Sequence, residues 1–152
     1  RSSDLPILYS CHPRSRKRLE SSGVQLDSRV ILHEPFGFHD YNCLQMNAFT
    51  VVSDSGTLPE EASFFTSVGH PFPAVCIRTS TERPEALDKG IFVLAGIDGE
   101  SLIQAVEIAV TMNRAGDYGM SVPAYIEEKV SAKVVKIIQS YTGIVNKMVW
   151  RK

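Results

Sequence analysis

The chain has 152 residues, of which 43% are hydrophobic and 22% are charged, and its formal net charge at pH 7 is -1. This length is about one domain with a single core, and the near-neutral charge favours neither nucleic acid nor an anionic membrane as a partner. Because no apolar run reaches membrane-spanning length and the start lacks a secretory signal, we expect a cytoplasmic protein.

Five short apolar segments alternate with helical patterns along the first two thirds of the chain. Each lacks strict alternation, which is typical of strands that are covered on both faces. This order predicts an α/β fold in which βαβ units build a parallel sheet flanked by helices. The predicted strands are 6–10, 29–33, 49–53, 73–77 and 91–95, and the predicted helices between them are 13–21, 41–47, 58–66 and 84–89.

Two further helices are predicted after the last strand. Asp98 is a good N-cap for an amphipathic helix over 98–113. A second, long helix is predicted from about Pro123 to near Gly143, and its apolar stripe needs to be covered by the sheet or by a neighbouring domain. Because the chain opens on Arg1 rather than methionine, we expect it to be a piece of a longer protein.

The segment SDSGTLPEEA (53–62) predicts a tight turn from a strand into a helix. Thr57 and Glu60 fit a capping box, which predicts that a helix begins here. Since the preceding strand ends near Ser53, the turn lies at the carboxyl edge of the sheet, where ligands of α/β proteins bind. Gly56 permits close approach to the backbone, and the helix amides with the Ser55 hydroxyl suit a phosphate. Glu61 is then free to accept hydrogen bonds from a ribose diol. The alternative is a capped helix whose two acids complement its dipole.

The segment TSTERPEALDKG (79–90) predicts a second turn beside the first. Pro84 opens a short helix and Gly90 closes it, so Arg83 is held at the helix start. Because the preceding strand should neighbour the strand that ends at Ser53, the Arg83 guanidinium and the Ser55 turn could converge on one phosphate. The alternative is a local ion pair of Arg83 with Glu82 or Glu85.

Other chemistry-bearing residues carry weaker signals. The histidines at 33, 39 and 70 lack metal-ligand spacing, so we expect surface or capping roles and no metal site. The basic run at 14–18 is typical of a solvated helix face, and no nucleic-acid-binding module is present. The three cysteines, at 11, 43 and 76, include no C-x-x-C pair, and we expect them to be buried and inert.

Four segments, in order over positions 7–95, resemble motifs of the non-hydrolysing UDP-N-acetylglucosamine 2-epimerases. SDSGTLPEEA resembles the family's D-S-G-G-x-Q-E-E turn, and TERPEA matches its T-E-R-P-E-A segment. YSCHPRSRKRLE resembles its strand followed by H-x-N/R, and HEPFGFHDYNCLQMNA resembles its E-P-L-x-Y-x-x-F-x-x-L-M stretch. The tail is most similar to the subgroup that forms UDP-N-acetyl-L-fucosamine for capsule and O-antigen synthesis.

The sequence departs from the family pattern at three places. Thr57 stands where the family has a second glycine, and Pro59 stands where it has glutamine. The connection FFTSVGHPFPA (64–74) is longer than the family's, which predicts a local bulge or loop around 69–72.

The resemblance implies that residues 1–152 form the carboxyl-terminal, UDP-binding, Rossmann-like domain of a longer enzyme of the glycosyltransferase-B architecture. It implies a catalytic role and a diphosphate contact for His12, and an aromatic contact with uracil for Tyr41. The phosphates and the ribose are the implied ligands of the remaining site residues. These are Ser55 and Gly56 for phosphate oxygens, Glu61 for the ribose hydroxyls and Arg83 near the phosphates.

In this family the reaction eliminates UDP to leave a 2-acetamidoglycal and re-adds it after protonation at C2 on the opposite face. The resemblance implies no metal or nicotinamide cofactor, and it implies a homodimer for the full-length enzyme. The family's acid and base groups come mostly from the amino-terminal domain, so we expect this chain alone to be inactive. The alternatives are a stand-alone, non-catalytic UDP-sugar binding module and a glycosyltransferase of the same fold.

Overall fold

The computed structural model of the chain describes residues 4–152. The chain falls into two compact units, Arg1–Asn47 and Ala48–Lys152, each with its own parallel sheet. The α/β class, with parallel strands flanked by helices, is therefore confirmed.

The first unit is one βαβ motif followed by a helix. Strands β1 (Ile7–Ser10) and β2 (Val30–His33) pair in parallel and are joined by helix α1 (Pro13–Ser22), and helix α2 (Phe38–Asn47) follows. Proline occupies the first position of α1, and Gly23 ends it with a φ of 67°, a left-handed conformation that favours glycine. All four β1 residues are exposed, so the expectation of strands covered on both faces is wrong here. The sequence of α1, PRSRKRLESS, is too polar to cover a sheet, and none of its residues is buried.

The second unit continues the βα alternation around a three-stranded sheet of order β3-β4-β5. The central strand β4 is buried on both faces, as predicted for strands of this kind. Its alternation places Ala74 and Cys76 in one hydrophobic cluster with Leu58 and Ala62, and Val75 in another with Ala105. The elements are β3 (Val51–Ser53), α3 (Leu58–Ser67), β4 (Ala74–Cys76), α4 (Pro84–Asp88), β5 (Val93–Leu94) and α5 (Gly99–Arg114).

The longer connection between α3 and β4 is a loop, as predicted. Gly69 takes a φ of 83° just after the helix, and Phe72 turns into the core, where its ring centroid lies 5.9 Å from that of Phe65. Because this loop leads into the amino end of β4, it lies at the opposite edge of the sheet from the turn after β3.

The carboxyl-terminal helix differs from its predicted bounds. A single 3-10 turn, Pro123–Tyr125, is followed by Lys129 at a φ of 55°, and helix α6 spans Val130–Met148. The Val122 amide donates to the buried Ser63 hydroxyl at 2.7 Å, which fixes the chain before the helix can begin. No residue of α6 is buried, so the expectation that the sheet covers its apolar stripe is wrong, and cover by a neighbouring domain stays a prediction. Within residues 4–152, no helix combines the length and the apolar character that crossing a bilayer requires.

Candidate functional site

Two turns leave the same edge of the second sheet. Strands β3 and β4 run in parallel with Ser53 opposite Cys76, and the Ile77 amide donates to the Ser53 carbonyl at 3.0 Å. The segments 54–57 and 77–83 therefore begin side by side at the carboxyl ends of neighbouring strands. The predicted placement of the two turns at one edge is confirmed.

The first turn is held by a chain of hydroxyl groups. The Ser55 amide donates to the Ser53 hydroxyl at 3.0 Å, and the Ser55 and Thr57 hydroxyls lie 2.9 Å apart. Since the single hydroxyl hydrogen of Thr57 goes to Glu61 Oε1 at 2.8 Å, Ser55 is the donor to Thr57. Among the residues that the structure describes, none supplies an acceptor for the Gly56 amide, so this N–H is open to an added anion.

The predicted capping box is wrong. Thr57 has helical backbone angles, φ -87° and ψ -15°, and its side chain makes no capping hydrogen bond. In that conformation its hydroxyl points along the helix and bonds Glu61, so Glu61 is engaged in this structure, and Glu60 does not reach back to Thr57. The two adjacent glutamates therefore have the reverse of the expected local roles.

Glu60 instead holds Arg83. The Arg83 Nε donates to Glu60 Oε1 at 2.7 Å, and its Nη2 lies 2.6 Å from the same oxygen. The hydrogen bond with Glu60 raises the pKa of the guanidinium above its ordinary value, so Arg83 stays charged. The alternative of a side-chain pair with Glu82 or Glu85 is thus wrong, and the contact joins the first turns of α3 and α4.

A second guanidinium lies closer to the glycine turn. A Cβ built on Gly56 would lie 3.7 Å from Arg78 Nη1 and 3.7 Å from Glu82 Oε2. These two side chains also form an ion pair, with Arg78 Nη2 3.3 Å from Glu82 Oε1. Sequence reasoning missed Arg78, although its position was a signal: it is the first charged residue after the buried strand β4.

The first turn of α4 is also held by Tyr125, whose hydroxyl donates to Glu85 Oε1. Desolvation, followed by this hydrogen bond, raises the pKa of Tyr125 to about 12, and the bond lowers the pKa of Glu85. The raised pKa of Tyr125 contributes stability that is fully present at pH values below the ordinary tyrosine pKa of 10.0. This stability is lost as the pH rises to about 12. The lowered pKa of Glu85 contributes stability at pH values above the ordinary pKa of glutamate. This stability is lost as the pH falls through the lowered pKa.

We expect the replacement Tyr125→Phe to remove one identifiable titration. The chain has five tyrosines, and the difference in tyrosinate absorbance between the wild type and this variant isolates residue 125. The midpoint of that difference should lie near pH 12 in the folded chain and fall towards 10.0 in denaturant, because the desolvation of the hydroxyl and its contact with Glu85 are then lost. A midpoint already near 10.0 in the folded chain would contradict the contact.

The other two predicted site residues belong to the first unit. His12 is exposed and caps α1, with its Nδ1 accepting from the Arg14 amide at 3.2 Å. Tyr41 is half-buried in α2, and its amide donates to the Gly37 carbonyl at 2.9 Å. Their predicted roles, contact with the diphosphate and catalysis for His12 and contact with uracil for Tyr41, stay predictions.

The remaining histidines and cysteines have local surroundings of different kinds. Across residues 4–152, no group of three or more His, Cys, Asp or Glu side chains is arranged to hold a metal ion. His33 stacks on Phe36 with ring centroids 4.0 Å apart, a surface contact. Two of the cysteines, at 11 and 76, are buried as expected, and burial raises the pKa of the Cys76 thiol. The expectation of burial is wrong for Cys43, which is exposed on helix α2.

The chain matches a known family over most of its length. The family model described as UDP-N-acetylglucosamine 2-epimerase matches residues 1–139. The chain belongs to the UDP-N-acetylglucosamine 2-epimerase family. A UDP-N-acetylglucosamine 2-epimerase of Methanocaldococcus jannaschii is 34% identical over 115 residues, which are 73% of this chain and 30% of the relative.

Solved structures of this family share the fold. The UDP-N-acetylglucosamine 2-epimerase from Rickettsia bellii superposes with a TM-score of 0.83 at 38% identity, over 97% of this chain and 39% of that one. The M. jannaschii enzyme in complex with UDP-GlcNAc and UDP gives a TM-score of 0.75 at 29% identity, over 91% of this chain and 37% of that one. The fold is thus that of part of an epimerase of the glycosyltransferase-B type, and the chain spans well under half the length of these relatives.

Proposed function

We propose that this chain is the UDP-binding part of a non-hydrolysing UDP-N-acetylhexosamine 2-epimerase. The observation that carries the proposal is the glycine turn at the carboxyl edge of a parallel sheet, where Gly56 has no acceptor for its amide among the described residues and Arg78 Nη1 lies 3.7 Å from a Cβ built on it. Ligands of open α/β sheets bind at this edge. A related structure of this fold was solved in complex with UDP-GlcNAc and UDP.

The chemistry of the turn suits a diphosphate. Backbone amides at the start of α3, together with the helix dipole, favour a negatively charged group, and Gly56 lets its oxygens approach the backbone. Two arginines, Arg78 and Arg83, follow the neighbouring strand β4 in the chain, and Arg78 Nη1 lies 3.7 Å from a Cβ built on Gly56. Arginine is well suited to phosphate because its N–H groups form a rigid fork. Ser55 adds a hydroxyl donor once its hydrogen turns from Thr57 to the ligand.

The remaining contacts follow the family roles. Glu61 would exchange the Thr57 hydroxyl for the ribose hydroxyls. His12 would contact the diphosphate and take part in catalysis, and Tyr41 would pack against the uracil. The proposed reaction needs an anionic leaving group, UDP, and the fixed amide and guanidinium donors of this edge would stabilise its developing charge.

The whole enzyme would contain more than these residues. The acid and base groups near C2 would come from an amino-terminal domain, and the exposed apolar stripe of α6 gives such a domain a surface to contact. We expect the chain alone to bind UDP without turnover, and the full-length enzyme to be a cytoplasmic homodimer. Its product would be UDP-N-acetyl-L-fucosamine or UDP-N-acetylmannosamine for capsule or O-antigen synthesis.

Calorimetric titration of the chain tests the proposal directly. We expect UDP to bind more tightly than UMP, because the second phosphate adds contacts with the guanidinium groups, and more tightly than ADP, because Tyr41 and its surroundings would select the base. Free N-acetylglucosamine should give no measurable heat. Equal affinity for ADP and UDP, or no binding of UDP, would contradict the proposal.

The replacement Gly56→Ala tests whether UDP binds at the turn that contains Gly56. The added methyl group meets its neighbours at ordinary contact distance, 3.7 Å, so the fold should tolerate it, yet it covers the side from which phosphate approaches. We expect UDP affinity to fall about tenfold, equivalent to the loss of one charged hydrogen bond. Gly99→Ala is the matched control, because a methyl there meets nothing within 4 Å and lies in the first turn of α5. Equal UDP affinity in both variants would remove the turn from the site.

A further inference from the structure

The ion pair between Arg78 and Glu82 lies directly over the glycine turn. Arg78 Nη1 and Glu82 Oε2 are the two side-chain atoms within 4 Å of a Cβ built on Gly56, each at 3.7 Å. A phosphate oxygen that used the space which the missing side chain of Gly56 leaves open would therefore lie beside this pair. No other side chain of the described residues outside the turn comes as near to that point.

The pair is weak by its geometry. Its nitrogen and oxygen are 3.3 Å apart, longer than the 2.6 Å between Arg83 and Glu60. The Glu82 side chain is 69% exposed, and that of Arg78 is 33% exposed. Exposed pairs of this kind contribute little net stability, so the two side chains can separate at small cost.

The charges around the turn would otherwise oppose an anionic ligand. The two turns and the first turn of α3 carry the carboxylates of Asp54, Glu60, Glu61 and Glu82 but only two guanidinium groups, and Arg83 already holds Glu60. Arg78 is therefore the cation whose partner can be exchanged most easily. Glu82, by contrast, is the acid that lies beside Gly56, with its Oε2 3.7 Å from a Cβ built on that residue.

We infer that Glu82 is an internal competitor for the phosphate position and that Arg78 is a further UDP-binding residue which changes partner from Glu82 to a phosphate. The inference rests on the proposed function. In the free protein the Glu82 carboxylate keeps Arg78 beside the turn, in place of a ligand anion. When UDP binds, the phosphate takes over Arg78, and Glu82 swings into solvent. The exchange makes no covalent bond and leaves the charge of both residues unchanged.

The two partners should then affect binding in opposite directions. Arg78→Gln should weaken UDP binding about tenfold or more, because a charged hydrogen bond to phosphate is lost. Glu82→Gln should tighten UDP binding about two- to fivefold, since the competing pair is removed and such pairs are weak. In the Arg78→Gln background, Glu82→Gln should lose most of its effect. Neither variant should change the affinity for uridine, which has no phosphate.

Calorimetry with UDP and with uridine measures these effects on the wild type, the variants Arg78→Gln and Glu82→Gln, and the double variant. The matched control is the exposed ion pair of Arg29 and Asp27, 2.7 Å apart, where Arg29→Gln and Asp27→Asn should leave UDP affinity unchanged. Unchanged UDP affinity in Arg78→Gln, with Gly56→Ala still weakened, would overturn the inference and leave the proposed function standing. Weaker binding in Glu82→Gln would also overturn it, because Glu82 would then support the ligand. If the wild type bound no UDP, the proposed function and this inference would fall together.

Discussion

Gly119→Ala should destabilise the chain by about 2 to 5 kcal/mol. Gly119 has a φ of 71°, and a Cβ there would lie 2.5 Å from the Gly90 carbonyl oxygen and 2.6 Å from that of Lys89. These are backbone atoms, so no side chain can move aside. The Met120 amide donates to the Lys89 carbonyl at 2.8 Å, and relief of the clash would break this bond between the loop and the end of α4.

Gly116→Ala is the control that separates the clash from backbone strain. Its φ is 85°, also left-handed, but a Cβ there meets nothing within 4 Å. It should therefore cost only the conformational penalty, about 1 to 2 kcal/mol. Urea unfolding followed by circular dichroism gives both free energies of unfolding. Equal losses in the two variants would show that the loop does not lie against α4.

The order of elements was predictable because its determinants are local. Short Val- and Ile-rich runs that alternate with helical segments favour parallel strands, and β4 shows the expected burial on both faces. Pro84 and Gly90 bound the short helix α4 as their backbone preferences require. The position of the two turns at one sheet edge follows from parallel pairing alone.

The start of the last helix was predicted wrongly because a contact between residues far apart in the sequence determines it. Helix α6 begins at Val130 rather than near Pro123, since the Val122 amide is tied to Ser63, 59 residues earlier. No local pattern reveals that bond. The exposure of β1 has a different origin: the helix that follows it, α1, is polar, and the burial of a strand depends on the apolar surface that packs against it.

The side-chain partners at the candidate site were the least predictable part. Adjacent glutamates point in different directions from a helix, so whether Glu60 or Glu61 meets Arg83 depends on where α4 lies beside α3. A capping box is the usual local solution, but Thr57 already has helical angles, and its hydroxyl is directed elsewhere. Arg78 could have been found from its position at the end of a buried strand, since charged residues there face the ligand edge.

Arg83→Ala should weaken UDP binding about 10- to 100-fold, if the guanidinium gives one or two charged hydrogen bonds to the diphosphate. In the free protein Arg83 is 34% exposed and fixed by Glu60, so its remaining N–H groups are already oriented. Such preorganisation lowers the entropy lost on binding. The measurement is the UDP dissociation constant by calorimetry, with the increase in melting temperature at saturating UDP as a second readout.

The pair with Glu60 offers a competing explanation, in which Arg83 only joins α3 to α4. Glu60→Gln separates the two, because it breaks the ion pair and leaves the guanidinium in place. If Arg83 binds phosphate, Glu60→Gln should keep or slightly tighten UDP affinity, since a competing carboxylate charge is gone, while Arg83→Ala weakens it. Arg83→Lys should recover only part of the loss, because an ammonium group lacks the fork that meets two oxygens. Equal weakening of UDP binding in Glu60→Gln and Arg83→Ala would assign Arg83 to the helix contact alone.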